Sequence, residues 1–115
     1  MRKESLKIAR AFAAGVAASA ARTSTDGQAM FLHGNRIAQR EADGSIWVTL
    51  AGWGTVTTRD RVNTLCHVLG SGVWFYQRDH VQRVSFPDGA DFETCPRDRW
   101  MIAAAGGAIV NSVEA

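Results

Sequence analysis

The stretch Ser24–Leu69, STDGQAMFLHGNRIAQREADGSIWVTLAGWGTVTTRDRVNTLCHVL, reads without a gap as three short strands feeding a capped helix. Gly34-Asn35 tolerate positive φ, so Ala29–His33 and Arg36–Arg40 are expected to pair across them as a hairpin. Asp43-Gly44 repeats the device and leads into Ser45–Leu50. There Ile46, Val48 and Leu50 point one way and Trp47 and Thr49 the other, the two-residue period of a strand. Ala51-Gly52-Trp53-Gly54 breaks that strand, and Thr55-Val56-Thr57-Thr58 offers hydroxyls to the unpaired amides of a helix start. Thr57 with Asp60 three positions on approximates a capping box. The helix is expected to bury Val62, Leu65, Cys66 and Leu69, to face Arg59, Asn63 and His67 outward, and to stop at Gly70 and Gly72.

Outward from this segment the signals thin. Toward the N-terminus, Leu6, Ala9, Ala13, Val16 and Ala20, joined by Phe12, recur at steps of three and four. They predict an amphipathic helix from about Lys3 to Ala21, with Lys3, Lys7 and Arg10 on another face. Residues 23–27 then turn the chain. Toward the C-terminus, Val73–Gln77 and Val81–Phe86 are strand candidates around Arg78-Asp79-His80, and Pro87-Asp88-Gly89 is a turn. A last helix is expected from Cys95-Pro96 or Asp98, carrying Trp100, Met101, Ile102, Ile109, Val110 and Val113. The glycine pair Gly106-Gly107 weakens it. The predicted fold is therefore α+β: an antiparallel sheet of four to five strands in the order α-β-β-β-α-β-β, with helices packed on it.

With 115 residues and 46% hydrophobic content, the chain has room for one core and is expected to form a single domain over residues 1–115. Within it, residues 1–22 form the basic helix, 24–86 the α+β core and 87–115 a partly helical extension. The net charge of +2 is unevenly spread. Arg2, Lys3, Lys7, Arg10 and Arg22 against Glu4 give +4 in the first 22 residues, leaving eight basic and ten acidic residues, a net of −2, in the rest. The electrostatic case for nucleic acid thus rests on the N-terminal segment alone. Basic residues followed by AFAAGVAASA imitate a secretory leader, but the apolar stretch is Ala/Gly-rich and Glu4 interrupts the charged region. No stretch reaches the roughly 20 apolar residues that span a bilayer, so no membrane partner is expected.

The ordered features S/T-x-D-G, a strand closing in a glycine turn, I-A, a strand ending in G-W, and T-T-x-x-R-hydrophobic-N fall on Ser24–Gly27, Gly34-Asn35, Ile37-Ala38, Gly52-Trp53 and Thr57–Asn63. In this order they resemble a group of small proteins encoded by tailed bacteriophages. The aromatic strand and Gln-Arg of Val73–Arg78 extend the likeness. The N-terminal basic helix and the long tail after Phe86 are less typical of that group. The resemblance implies a phage protein acting in the host cytoplasm and specifies no reaction.

Candidate chemistry is sparse. His33, His67, His80, Cys66 and Cys95 lack the paired spacings of a zinc site. Cys66 on a buried helix face reads as a core thiol rather than a nucleophile, and two cysteines make no disulfide scaffold, although one bridge between them stays open. Gly52-Trp53-Gly54 and Gly70-Ser71-Gly72 are too short for phosphate loops. No enzymatic activity, cofactor or metal is expected.

What remains are surfaces. Trp53 between two glycines either plugs the gap between sheet and helix, the commoner place for a tryptophan, or stands out as an interface anchor. With Arg36, Arg40, Arg59, Arg61 and Asn63 it forms the candidate partner-binding set. Trp47, Trp74 and Tyr76 are expected to share the far face of the sheet, either covered by a terminal helix or displayed as a stacking platform beside the Lys3, Lys7 and Arg10 stripe. Two functions follow: a phage-encoded binding protein that inhibits or redirects a host protein or ribonucleoprotein complex by occlusion, as an anti-CRISPR protein does, or a small nucleic-acid-binding module. A phage structural or assembly role is a third. Self-association is compatible with each.

Overall fold

In the computed structural model, which describes residues 1–110, the chain runs α1 (Lys3–Ala14), β1 (Ala18–Ala20), β2 (Thr23–Thr25), β3 (Ala29–Leu32), β4 (Asn35–Arg40), β5 (Ile46–Thr49) and α2 (Val56–Val68). Four more strands follow: β6 (Trp74–Arg78), β7 (Val81–Ser85), β8 (Asp91–Glu93) and β9 (Arg99–Ala103), before a 3₁₀ turn at Ala105–Gly107. Every strand pairing is antiparallel. One sheet is ordered β1-β2-β3-β4-β5-β9, the other β6-β7-β8. The α+β class holds, but among the described residues the strands number nine in two sheets.

The additional strands replace expected helix at both ends. Gly15 takes a left-handed conformation (φ 73°) and its amide bonds back to α1, ending that helix about two turns before Ala21. Ala18–Ala20 then pairs with Thr23–Thr25, which the sequence presents as a turn. At the other end, Arg99–Ala103 is a strand on β5, not part of a helix. Two forces decide this. Without β9, the outer amides and carbonyls of β5 would form a bare sheet edge. In addition, Trp100 packs between Phe86 and Phe92, with ring centroids 5.9 and 5.8 Å away, while Ile102 enters the core. Residues 111–115 of the expected helix, with Val113, lie outside the described residues.

The hairpin between β3 and β4 forms as expected but turns one residue earlier, on His33-Gly34, both with positive φ. A two-residue turn of this kind requires it, and histidine enters the left-handed region more readily than most side chains. Strand β5 alternates as read, with Ile46, Val48 and Leu50 buried and Trp47 and Thr49 half-buried. The cap of α2 is Thr55, whose Oγ1 accepts from the Thr58 amide at 3.2 Å; Thr57 does not fill that role. Asp60, the other half of the expected capping box, is used elsewhere.

A single cluster of buried side chains joins both sheets and both helices. Ile8 and Phe12 of α1 and Val62, Leu65 and Cys66 of α2 meet Met30, Ile37, Val48 and Ile102 from the larger sheet and Phe75 and Val84 from the smaller. The inward face of α1 is Ser5, Ile8, Ala9 and Phe12, rotated from the expected stripe, so that Ala13 is exposed. Ser5 faces inward because its hydroxyl belongs to a polar seam. Arg61 of α2, 3% exposed, donates to Ser5 Oγ (2.7 Å), Thr23 Oγ1 (2.8 Å) and Asp60 Oδ2 (2.7 Å), and Ser5 donates to Asp60 at 2.6 Å. Glu4 lies 3.9 Å from the same guanidinium.

The C-terminal end of α1 is held from outside. Arg40 donates to the Phe12 carbonyl (2.9 Å) and the Gly27 carbonyl (2.5 Å), and its guanidinium lies 4.3 Å from the Phe12 ring centre. A cation here complements the helix dipole. Gly27 sits so close that a Cβ would come within 2.5 Å of the Gly15 carbonyl oxygen.

Candidate functional site

The loop between β5 and α2 is built to hold its backbone still. Ala51 and Gly52 both have positive φ, and the Trp53 amide closes the turn on the Leu50 carbonyl at 2.9 Å. On one side the Gly52 amide donates to the Pro96 carbonyl (3.0 Å), and the Arg97 guanidinium lies against Gly52 where a Cβ would stand. On the other, the Gly54 carbonyl accepts from Arg59 (3.0 Å) and Gln82 (3.4 Å), while Gln82 and Gln77 bond each other and Arg59. A Cβ on Gly54 would press within 2.9 Å of Gln82. Between these clamps the Trp53 side chain is 56% exposed.

This overturns the expectation that Trp53 plugs the core. Leu32, Ile37 and Leu50 belong to the buried core cluster, and Trp53 does not. The indole stands instead beside a cleft of about 430 Å³ with those three side chains among its lining and His33, Asn35 and Thr55 also along it. An apolar floor with a few polar groups is the usual composition of a binding recess.

The other candidate contact residues separate. Arg59 is half-buried and serves the loop clamp. Arg61 and Asn63 are interior, 3% and 5% exposed, and do not offer a direct contact surface. Asn63 accepts from the Phe75 amide (2.7 Å) and donates to the Phe75 carbonyl (2.9 Å), so it substitutes for a neighbouring strand along β6 rather than facing solvent. Arg40 holds α1. Arg36 is exposed, 5.9 Å from the Phe31 ring centre, and lines a second recess with Trp47 and Arg99.

The aromatic platform does not assemble. Trp47 stands in the six-stranded sheet between Gln39 and Met101, whereas Trp74 and Tyr76 belong to the three-stranded one. Tyr76 donates to Asp91, which also pairs with Arg83; the two hold the Asp91 carboxyl below the usual carboxylate range, Tyr76 foremost. Trp74, 49% exposed, shares a shallow groove with Met1 and Val56. Lys3, Lys7 and Arg10 are exposed on α1, away from a shared aromatic surface. His67 is the one member of the expected outward row that is fully on the surface.

Both cysteines are free. Burial pushes the Cys66 thiol up to about 12, as befits a core side chain, and Cys95 is exposed. Among the described residues no group of three His, Cys, Asp or Glu side chains is placed to hold a metal ion, and no helix is long and apolar enough to cross a membrane.

Sequence reading missed Arg97, Gln77 and Gln82. Each reaches the Trp53 loop only because β6–β9 fold back beside it, a long-range contact that no local pattern, the Gln-Arg at Gln77 included, announces.

The family model described as Kyanoviridae Gp96 protein matches residues 1–103. The chain belongs to the Kyanoviridae Gp96 protein family. No curated protein and no solved structure matches it. This is a cyanophage family, so the phage origin read from the central motifs holds. The family match is also wider than the motif resemblance: it takes in α1 and β9, and with them Ser5 of the polar seam and the Arg97 side of the loop clamp.

Proposed function

We propose that this Gp96-family chain is a non-enzymatic phage accessory protein that binds a host protein complex through the Trp53 face and inhibits or redirects it by occlusion. A counter-defence inhibitor, of the anti-CRISPR kind, is the form favoured. The observation that carries the reading is the exposure of Trp53 on a loop whose backbone is fixed from both sides. Holding an indole out of the core exposes apolar area that burial would otherwise stabilise by about 25 cal/mol per Å². Such cost on a rigid support is what an interface anchor requires, because little ordering entropy is lost on docking. The nucleic-acid reading has less support, since the basic stripe of α1 and the aromatics fall on separate surfaces.

The test is capture from host lysate with the tagged full chain and its Trp53→Ala variant. A stoichiometric host protein recovered by the natural chain and lost with the variant, at unchanged melting temperature, is expected. Equal recovery by both, or no partner for either, sinks the proposal.

A further inference from the structure

The charges around Trp53 specify what the partner must bring. Two guanidinium groups flank the Trp53 backbone, one at each neighbouring glycine: Arg97 lies against Gly52 and Arg59 is hydrogen-bonded to the Gly54 carbonyl. Among the described residues neither is paired with a carboxylate, the ion pairs being those of Arg61 and Arg83. The nearest acids in sequence are already used. Asp60 is held by Ser5 and Arg61, and Asp98 accepts from the Cys95 amide at 2.9 Å. Arg59 spends its bonds on neutral oxygens of Gly54, Gln77 and Gln82, so its positive charge is not cancelled. The cleft beside the indole carries no acidic or basic side chain except His33, and Leu32, Ile37 and Leu50 make it apolar.

Resting on the reading of Trp53 as a docking anchor, the geometry points to a partner segment of one chemistry: an acidic peptide stretch carrying a single large apolar side chain. The apolar side chain enters the cleft against Trp53, and carboxylates on either side meet Arg97 and Arg59. Guanidinium is suited to this because its planar fork matches a carboxylate in two parallel hydrogen bonds. A nucleic acid would satisfy the cations and stack on the indole, but a base entering the cleft of about 430 Å³ would bring hydrogen-bonding edges that the apolar floor of Leu32, Ile37 and Leu50 leaves unmet. The cleft favours protein, the flanking charge favours an acidic one, and complementary charge would speed its encounter.

The experiment is selection of a randomised 12-residue peptide library on the immobilised full chain, with counter-selection on Trp53→Ala. Binding of the enriched peptides is then measured by fluorescence anisotropy. Arg97→Glu is the informative variant, because Arg97 contacts the loop without a hydrogen bond to it, and its fold is checked by circular dichroism. Enriched peptides are expected to carry net negative charge around one Leu, Phe, Met or Trp. They should bind Arg97→Glu at least tenfold more weakly and weaken further from 50 to 500 mM salt, roughly as screening of exposed charges demands. Enrichment of basic or uncharged peptides, no enrichment over Trp53→Ala, or equal binding to Arg97→Glu overturns the inference. So does a dT20 oligonucleotide that binds more tightly than the best peptide. If lysate capture remains Trp53-dependent while the peptides are basic, only the acidic chemistry fails. If capture ignores Trp53, the docking reading falls and takes this inference with it.

Discussion

The α1–α2 seam and the Trp53 face draw on the same residue types and use them in opposite ways. Arg59 and Arg61 are two positions apart on α2. Arg61 turns inward, where Ser5, Thr23 and Asp60 satisfy it, and there it locks α1 to α2 and β2. Arg59 turns toward the loop and leaves its charge uncancelled. A buried cation is tolerated only when it is fully hydrogen-bonded, so its neighbours are bound to it as tightly as it is to them. A surface cation bonded to neutral oxygens can still answer a partner. The seam therefore carries stability and the face carries recognition, and changes to one should leave the other largely intact.

The sharpest break of that contrast is Arg61→Ala. It leaves Thr23 Oγ1 without its partner and Ser5 and Asp60 with only each other, and is expected to cost about 3 kcal/mol, read as a fall in the urea midpoint. Next, Asn63→Ala leaves the Phe75 amide and carbonyl unpaired inside the protein and should cost about 2 kcal/mol in the same assay. Gly54→Ala forces Gln82 to move from a contact of 2.9 Å and should cost about 1 kcal/mol while weakening partner capture, because it loosens the clamp without touching the indole. Trp53→Ala completes the series, with a stability change within about 0.5 kcal/mol and loss of capture. If Trp53→Ala destabilised the fold as much as Asn63→Ala, the division between seam and face would be wrong.

Thiol titration sharpens the same division. Burial holds the Cys66 thiol protonated up to about 12, so at pH 8 a thiol reagent should find Cys95 alone in the native chain and both cysteines once Arg61→Ala is unfolded in urea. The sign for stability follows. Below the ordinary thiol value near 9.0 both states keep the proton and Cys66 contributes no pH dependence. Between 9.0 and about 12 the unfolded chain ionises first, so this group lowers stability as pH rises.

Legibility from sequence tracked how local each cause was. The alternation of Ile46, Val48 and Leu50 and the two-residue turn between β3 and β4 are decided by neighbours within a few positions, and both were readable. The turn's displacement to His33-Gly34 was not, because it follows from strand register across a bulge at Met30/Phe31. At the candidate site Trp53, between its glycines, drew notice from the chain alone, yet its exposure did not follow. Asn63 read as an outward residue and Arg61 as a candidate contact because helical spacing cannot report a hydrogen-bonding partner 12 residues ahead at Phe75 or 38 back at Thr23.

By itself the chain determined an α+β protein with a central hairpin, an alternating strand and a capped helix, since periodicity, turn residues and hydroxyl caps act over single turns. Tertiary structure alone decided that the tail becomes β9, that Arg61 is interior and that Trp53 is displayed. Those outcomes depend on which sheet edge needs a partner, which charge finds enough hydrogen bonds and which apolar side chains reach the core first. All three are settled by segments distant in sequence, where no local pattern can carry the information.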